Sequence, residues 1–421
     1  MKPVYRKIAL RLVPFLMLLY VVSFLDRVNI SFAALTMNRD LGIGEGLFGL
    51  AAGLFFLGYF LFEVPSNLAL ERVGARRWLA AIMVCWGVVS VGTAFVPGRN
   101  TYLLLRFLLG IAESGFYPGV ILYLTFWLPA PVRSTVMAIF VTAIPISNVI
   151  GSPVSAQILQ LDHFAGLKGW QWLFLLEGFP SVVLGALVLL ILPDRPAEAA
   201  WLSEEERQEI RDDLRSSSGG PSEKHSLLDA LAKEPSAYGF SFAYFTLMTG
   251  LYGLGFWTPK ILSSHAMRLG AIGWWTALPY AAGAIGMILW SRHSDRRRER
   301  VLHLAAAYLL AACGFAIAGF APNGTVALAG LTLTAIGIFS AMPIFWSSAT
   351  LRLSGGSAGA YIAAINSIGN LGGFVGPIAM GWLRQWTHSY AWGLWAIAGL
   401  LTSGAFAVVR LVRSGLVPRH S

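Results

Sequence analysis

Asp26 and Arg27 stand side by side in "SFLDRVNISF", deep in an apolar stretch that begins near Ile8. Arg106 and Glu113 interrupt a second such stretch, "YLLLRFLLGIAESGFYPG". Their seven-residue spacing is almost two helical turns, so on a helix both side chains leave one face. A charge at the centre of a membrane helix costs roughly 2.5–3.5 kcal/mol on insertion scales. Four of them are therefore expected to face a bundle interior, to satisfy one another, and to bind an anion and a proton. The chemistry is a competition. Low dielectric drives a carboxyl toward its neutral form, and a neighbouring arginine draws it back to the charged form. An anion that engages the arginine withdraws that support, so proton and anion binding reinforce each other. Arginine suits the anion role because its planar fork holds a carboxylate bidentately and stays charged. Asp26 and Glu113 are the proton candidates, with the choice between them open, and Arg27 and Arg106 are the anion candidates. Static salt bridges are the plainer alternative.

Other polar residues in apolar stretches could complete a substrate pocket: Tyr59 in "FFLGYFLFEVPSN", Asn148 in "NVIGSP", and Asn366 and Asn370 in "AAINSIGNLGGFVGP". The last two are four apart and share a helix face, where hydrogen bonding between helices is the alternative role. Trp346, with Phe345 and Ser347, could wall the cavity, as could Tyr252 and Trp257, although such aromatics also serve as packing.

The elements that position these residues follow from composition. Of 421 residues, 56% are hydrophobic and 12% charged, with a mean hydropathy of +0.65. Apolar windows long enough to cross roughly 30 Å of hydrocarbon recur along the chain. Backbone groups in such a setting must bond within helices. The fold expected is an all-α polytopic membrane protein of about twelve spans, near 9–35, 47–69, 77–96, 101–127, 134–160, 170–192, 237–263, 270–291, 302–320, 325–351, 358–382 and 389–412. The formal charge is +10, and most Lys and Arg fall in the loops assigned to one side. That asymmetry is the positive-inside rule; it places both termini in the cytoplasm and excludes nucleic acid as the reason for the charge. The first apolar segment is too long for a cleavable leader and is taken as the first span. Cys85 and Cys313 are expected to be buried small hydrophobes. No metal-ligand spacing, nucleophile–base pair or nucleotide loop is present, so an enzyme is disfavoured and no cofactor is expected beyond the proton as coupling ion.

The chain divides into a six-helix bundle over 1–192, a polar linker over 193–236, a second six-helix bundle over 237–413, and a tail over 414–421. The tail, "SGLVPRHS", resembles a protease-site linker and is set aside. In the linker, Ser203 and Glu206 have the spacing of a capping box, which predicts a short cytoplasmic helix over 202–215. The bundles are related by a fixed offset: Glu71, Arg72 and Arg76 of "LERVGARR" correspond to Asp295, Arg296 and Arg300 of "SDRRRERV", and Pro153 to Pro377, each 224 residues on. Two parallel repeats are the architecture of transporters that rock about a central site. The two loops are expected to make charge contacts, through Glu71, Arg72, Arg76, Asp295 and Arg296, that stabilise one conformational state. The offset carries Asp26, Arg27, Arg106 and Glu113 onto Gly250, Leu251, Gly330 and Gly337, so the intramembrane charges belong to the first repeat alone.

The spans, the repeat and "ERVGARR" together resemble the major facilitator superfamily. "FLDRVNISFA", "GYFLFEVPSNLALERVGARRWL", "RFLLGIAESGFYPG" and "INSIGNLGGFVGP" resemble its anion:cation symporter group, which includes bacterial sugar-acid, tartrate and phthalate permeases. The loop departs from the superfamily pattern: Asn67 stands for the usual Gly, Glu71 for Asp, and Ala75 for a basic residue. The resemblance implies proton-coupled uptake of a small organic anion by alternating access, in a bacterial inner membrane, by a protein expected to act as a monomer. It implies proton coupling at Asp26 and Glu113, anion or charge pairing at Arg27 and Arg106, and substrate contacts at Tyr59, around Trp346 and at Asn366. The competing function is a proton-driven exporter of drugs or cations. Against it, "NVIGSP" places Asn148 where exporters of this superfamily carry the first Gly of a GxxxGP pattern.

Overall fold

The structure, a computed structural model, describes residues 2–217, 236–350 and 358–413. The expected tail over 414–421 and most of the linker's second half lie outside these residues. Helix α1 (Pro3–Asp40) opens on a proline, whose missing N–H would be unpaired there in any case. Helices α2 (Glu45–Val73) and α3 (Ala75–Thr93) reverse at Gly74, which has φ +92°, a conformation that other residues rarely adopt. The fourth span is broken into α4 (Arg99–Glu113) and α5 (Phe116–Thr125), and the fifth into α6 (Ala130–Val141) and α7 (Ala143–Ile158). Helix α8 (Gly169–Ile191) completes the first half.

The linker helix α9 (Glu204–Ser217) is polar. Ser203 and Glu206 close it as a capping box: the Ser203 N–H donates to Glu206 Oε2 at 2.9 Å and the Glu206 N–H to Ser203 Oγ at 3.2 Å. Lys7 pairs with Glu206 and Lys2 with Asp213, each at 2.7 Å, which fixes α9 to the start of α1.

The second half comprises α10 (Ser236–Ser264), α11 (Leu269–Arg297), α12 (Val301–Gly319), α13 (Gly324–Thr350), α14 (Ala358–Thr387) and α15 (Ala391–Arg413). Among the described residues, ten spans are long and apolar enough to cross a membrane, α4 with α5 and α6 with α7 each counting as one. Helices α10 and α14 reach 29 and 30 residues but are not among those ten. They pack on each other, on α1 and on α2 at the centre of the molecule. With them the fold has twelve membrane helices in two pseudo-symmetric bundles of six. The repeat is visible in the helix ends: 269 less 45 and 297 less 73 both give 224 for α11 against α2.

Within the first half α3 packs on α8, α2 on α4, and α1 on α7 and α8. Within the second, α12 packs on α13 and α15, α11 on α13, and α10 on α14. The halves meet where α2 crosses α14, α7 crosses α11 and α1 crosses α10. The contact lies at the end of the molecule where α2 and α11 begin. A side chain at Gly49 would collide with the Pro377 carbonyl and Gly381. Beside this crossing, Lys260 of α10 pairs with Glu45 of α2 at 2.6 Å, and the Gly46 N–H donates to Gln385 of α14 at 3.0 Å. This end is closed.

Cys85 and Cys313 are exposed, not buried as expected. They lie on outward helix faces, where lipid is as apolar as a protein core and hydropathy cannot separate the two.

Candidate substrate and proton site

The adjacent charges of α1 do not pair. Successive residues on a helix point about 100° apart, and Asp26 and Arg27 enter different surroundings. Arg27 turns toward the seam between the halves. Its Nη2 donates to Glu113 Oε1 at 2.6 Å, and its Nη1 to the Tyr252 hydroxyl of α10 at 3.4 Å. The Ser23 hydroxyl donates to the same Glu113 oxygen. The guanidinium also lies over the rings of Phe24, Phe55 and Tyr59, at 4.9, 5.2 and 5.7 Å. Cation–π contact of this kind stabilises a desolvated cation by roughly 2 kcal/mol.

Asp26, 3% exposed, turns into the first half. It accepts from Ser90 at 2.7 Å and Trp86 at 3.0 Å on α3, Ser181 at 2.9 Å on α8, and Asn29 at 3.4 Å on its own helix. All four donors are neutral, so the carboxyl has hydrogen bonds and no counter-charge.

Arg106 and Glu113 share the buried face of α4 with Tyr102, Leu109 and Gly110. Arg106 is 1% exposed and lies 5.2 Å over Phe55. None of its three guanidinium nitrogens has a hydrogen-bond partner among the described residues, and neither does the Tyr102 hydroxyl. The four charges are thus one ion pair, one carboxyl hydrogen-bonded only by neutral groups and one open guanidinium, in place of the mutual satisfaction expected. At the positions that the repeat relates to Arg106 and Glu113, the second half has no room for a charged side chain. Gly330 and Gly337 of α13 lie in backbone contact with α12, where any side chain would collide.

The remaining residues are spread more widely. Tyr59 is half-buried beneath Arg27. Asn148 is buried and donates to the Ile144 carbonyl of its own helix at 3.0 Å. Trp346 meets the Tyr244 ring at 5.0 Å. Asn366 and Asn370 are half-buried on α14. Of the loop residues, Arg76 reaches Asp194 at 4.0 Å and Glu198 at 3.9 Å, just after α8. Glu71, Arg72, Asp295 and Arg296 are exposed and form no ion pair among the described residues.

Three participants escaped the reading of the sequence. Glu45 and Lys260 sit near span ends, where charges are ordinary, and no spacing relates residues so far apart. Glu177 did carry a signal, as a lone acid inside the apolar "FLLEGFP" of α8. It is buried and accepts from Ser155 at 2.6 Å.

The repeat, the twelve helices and a charged seam between the halves describe a membrane transporter. The chain belongs to the Major Facilitator Superfamily, whose family profile matches residues 16–377. It is 50% identical over 418 residues to the "Putative tartrate transporter" of Agrobacterium vitis, covering 99% of this chain and 96% of that protein. It is 38% identical to the "Quinolone resistance transporter" of Acinetobacter baumannii, covering 96% and 93%. The fold matches a bacterial homolog of the human lysosomal transporter Spinster, in an inward-facing and occupied conformation, with TM-score 0.79 at 17% identity and 98% coverage of both chains.

Proposed function

We propose that the protein is a secondary transporter that takes up a small organic anion, a hydroxy-dicarboxylate of the tartrate type, together with a proton by alternating access. The observation that carries this reading is the 2.6 Å contact of Arg27 with Glu113, made at the seam and touched from the other half by Tyr252. A carboxylate substrate has the charge and geometry to replace Glu113 on the Arg27 fork. Glu113 then loses its cation, and a proton takes over the balancing of its charge. Substrate and proton therefore enter together and leave together. The contact favours Glu113 over Asp26 as the carboxyl that answers substrate arrival. Arg106 supplies a second cation with unused donors, and the Tyr252 hydroxyl proton remains free to donate to substrate.

The name of the Agrobacterium relative supports the substrate class. The excess of Lys and Arg in the loops assigned to the cytoplasm supports a bacterial inner-membrane protein with both termini inside. In that topology the closed end faces outward, and the conformation is inward-facing. The protein acts as a monomer, and its two halves, about 1–192 and 237–413, are the moving bodies.

The test is proton uptake on binding. Tartrate added to the purified protein in weak buffer is expected to raise the pH, and Glu113→Gln is expected to bind tartrate without that rise. Binding with no proton uptake by the wild type would overturn the coupling. A second reading, proton-driven export of a drug, is favoured by the name of the Acinetobacter relative. It predicts the opposite sign, with protons released as the drug binds.

A further inference from the structure

Glu177 of α8 has no part in the cycle above, yet its surroundings are incomplete in a specific way. It is 5% exposed. Its Oε1 accepts from the Ser155 hydroxyl of α7 at 2.6 Å, and its Oε2 has no partner among the described residues. Its neighbours are Ser155 of α7 and, on α1, Asn29 and the acid Asp26, which is itself held by Trp86 and Ser90 of α3 and Ser181 of α8. Among the described residues none of these is a cation, and the charged group that acts on Glu177 is the carboxyl of Asp26.

Asn29 lies between the two acids. Its Nδ2 donates to Asp26 at 3.4 Å, and its side chain is within hydrogen-bonding reach of Glu177. Its Oδ1 has no donor among the described residues. Two neighbouring side chains each hold an orphaned acceptor, Glu177 Oε2 and Asn29 Oδ1. An uncompensated charge with unpaired acceptors is costly to bury. One proton on Oε2 removes the charge and turns that atom from an unpaired acceptor into a donor.

We propose that Glu177 is an exchangeable proton-binding site of the transporter, distinct from the Arg27–Glu113 pair and set by the Ser155 hydroxyl. The proton comes from water reaching the seam of α1, α7 and α8, and returns to it. Ser155 precedes Ala156, which lies against Gly273 of α11 at the closed end. A rotation of α7 against α8 as α7 parts from α11 would move the fixed donor of Glu177 and tie its proton to the state of the gate. That coupling rests on the transport reading above; the existence of the site does not.

Infrared titration of the full chain in liposomes tests the site without any substrate. The wild type is expected to show a protonated-carboxyl C=O band at neutral pH that disappears on alkalinisation. Glu177→Gln is expected to lack this band and Asp26→Asn to keep it. Ser155→Ala removes a hydrogen bond that favours the charged form, so it is expected to move the titration to higher pH. Identical spectra for wild type and Glu177→Gln, or a band that never titrates, would overturn the proposal. So would a titration indifferent to Ser155→Ala. Failure of a proton gradient to drive tartrate uptake would remove the symport reading and leave this band to be judged by itself.

Discussion

At the scale of single residues, the neighbours Asp26 and Arg27 show how one helical step assigns different chemistry. Arg27 holds an exchangeable partner at the seam, whereas Asp26 gathers four neutral donors inside one half. Asp26→Asn keeps acceptors for those donors, and Asp26→Ala strands them. The alanine variant should therefore be less stable than the asparagine variant by about 1–3 kcal/mol, the cost of buried groups left unpaired; equal melting temperatures would contradict the assigned bonds. Arg27→Lys keeps the charge but loses the fork. Charge-assisted bonds contribute about 1.5–3 kcal/mol, so tartrate affinity should fall by about tenfold or more, as measured by calorimetry. The presence of these charges was legible because they interrupt apolar runs. Their directions were not, since the rotation of α1 is set by packing on α7, α8 and α10, which no local pattern records.

At the scale of elements, short contacts between distant segments hold a state in place. Lys260 and Glu45 join α10 to α2 beside the Gly49–Gly381 crossing. Removing one partner of a fully buried pair costs about 3–5 kcal/mol, and the partial exposure of Glu45 places this pair below that range. Lys260→Met should shift spin-label distances across α2 and α14 toward separation at this end; an unchanged distribution would deny the pair a gating role. The linker helix behaves differently because its pairs are wet. Hydrogen bonding to Lys7 holds the Glu206 carboxyl below its ordinary range, as bonding to Lys2 and Tyr5 does for Asp213. A depressed carboxylate contributes stability above its unfolded pKa and loses it as pH falls through the folded one. Docking of α9 should thus persist at neutral pH and fail below about pH 4, near the ordinary carboxylate values. Hydrogen exchange of α9 amides checks this, with pH-independent protection as the contrary result. The capping box announced α9 from the sequence, but its dock on α1 depends on side chains some 200 residues apart.

At the scale of the whole molecule, the 224-residue offset ties the chemistry to an asymmetric pair of bundles. The repeat was legible because loop charges and a proline preserve their register, and α2 and α11 keep it at both ends. The two long helices α10 and α14 pack on each other at the centre of the molecule. The first half holds the buried acids and both intramembrane arginines; the second offers Tyr252 and a closing surface. Such a division suits a cycle in which one half binds and titrates while the other opens and seals. The most direct measurement is uptake of labelled tartrate by the purified protein in liposomes, with and without an inward proton gradient. The account predicts accumulation above the external concentration only with the gradient, and its loss in Glu113→Gln while exchange between equal tartrate pools persists. Accumulation indifferent to the gradient would contradict it.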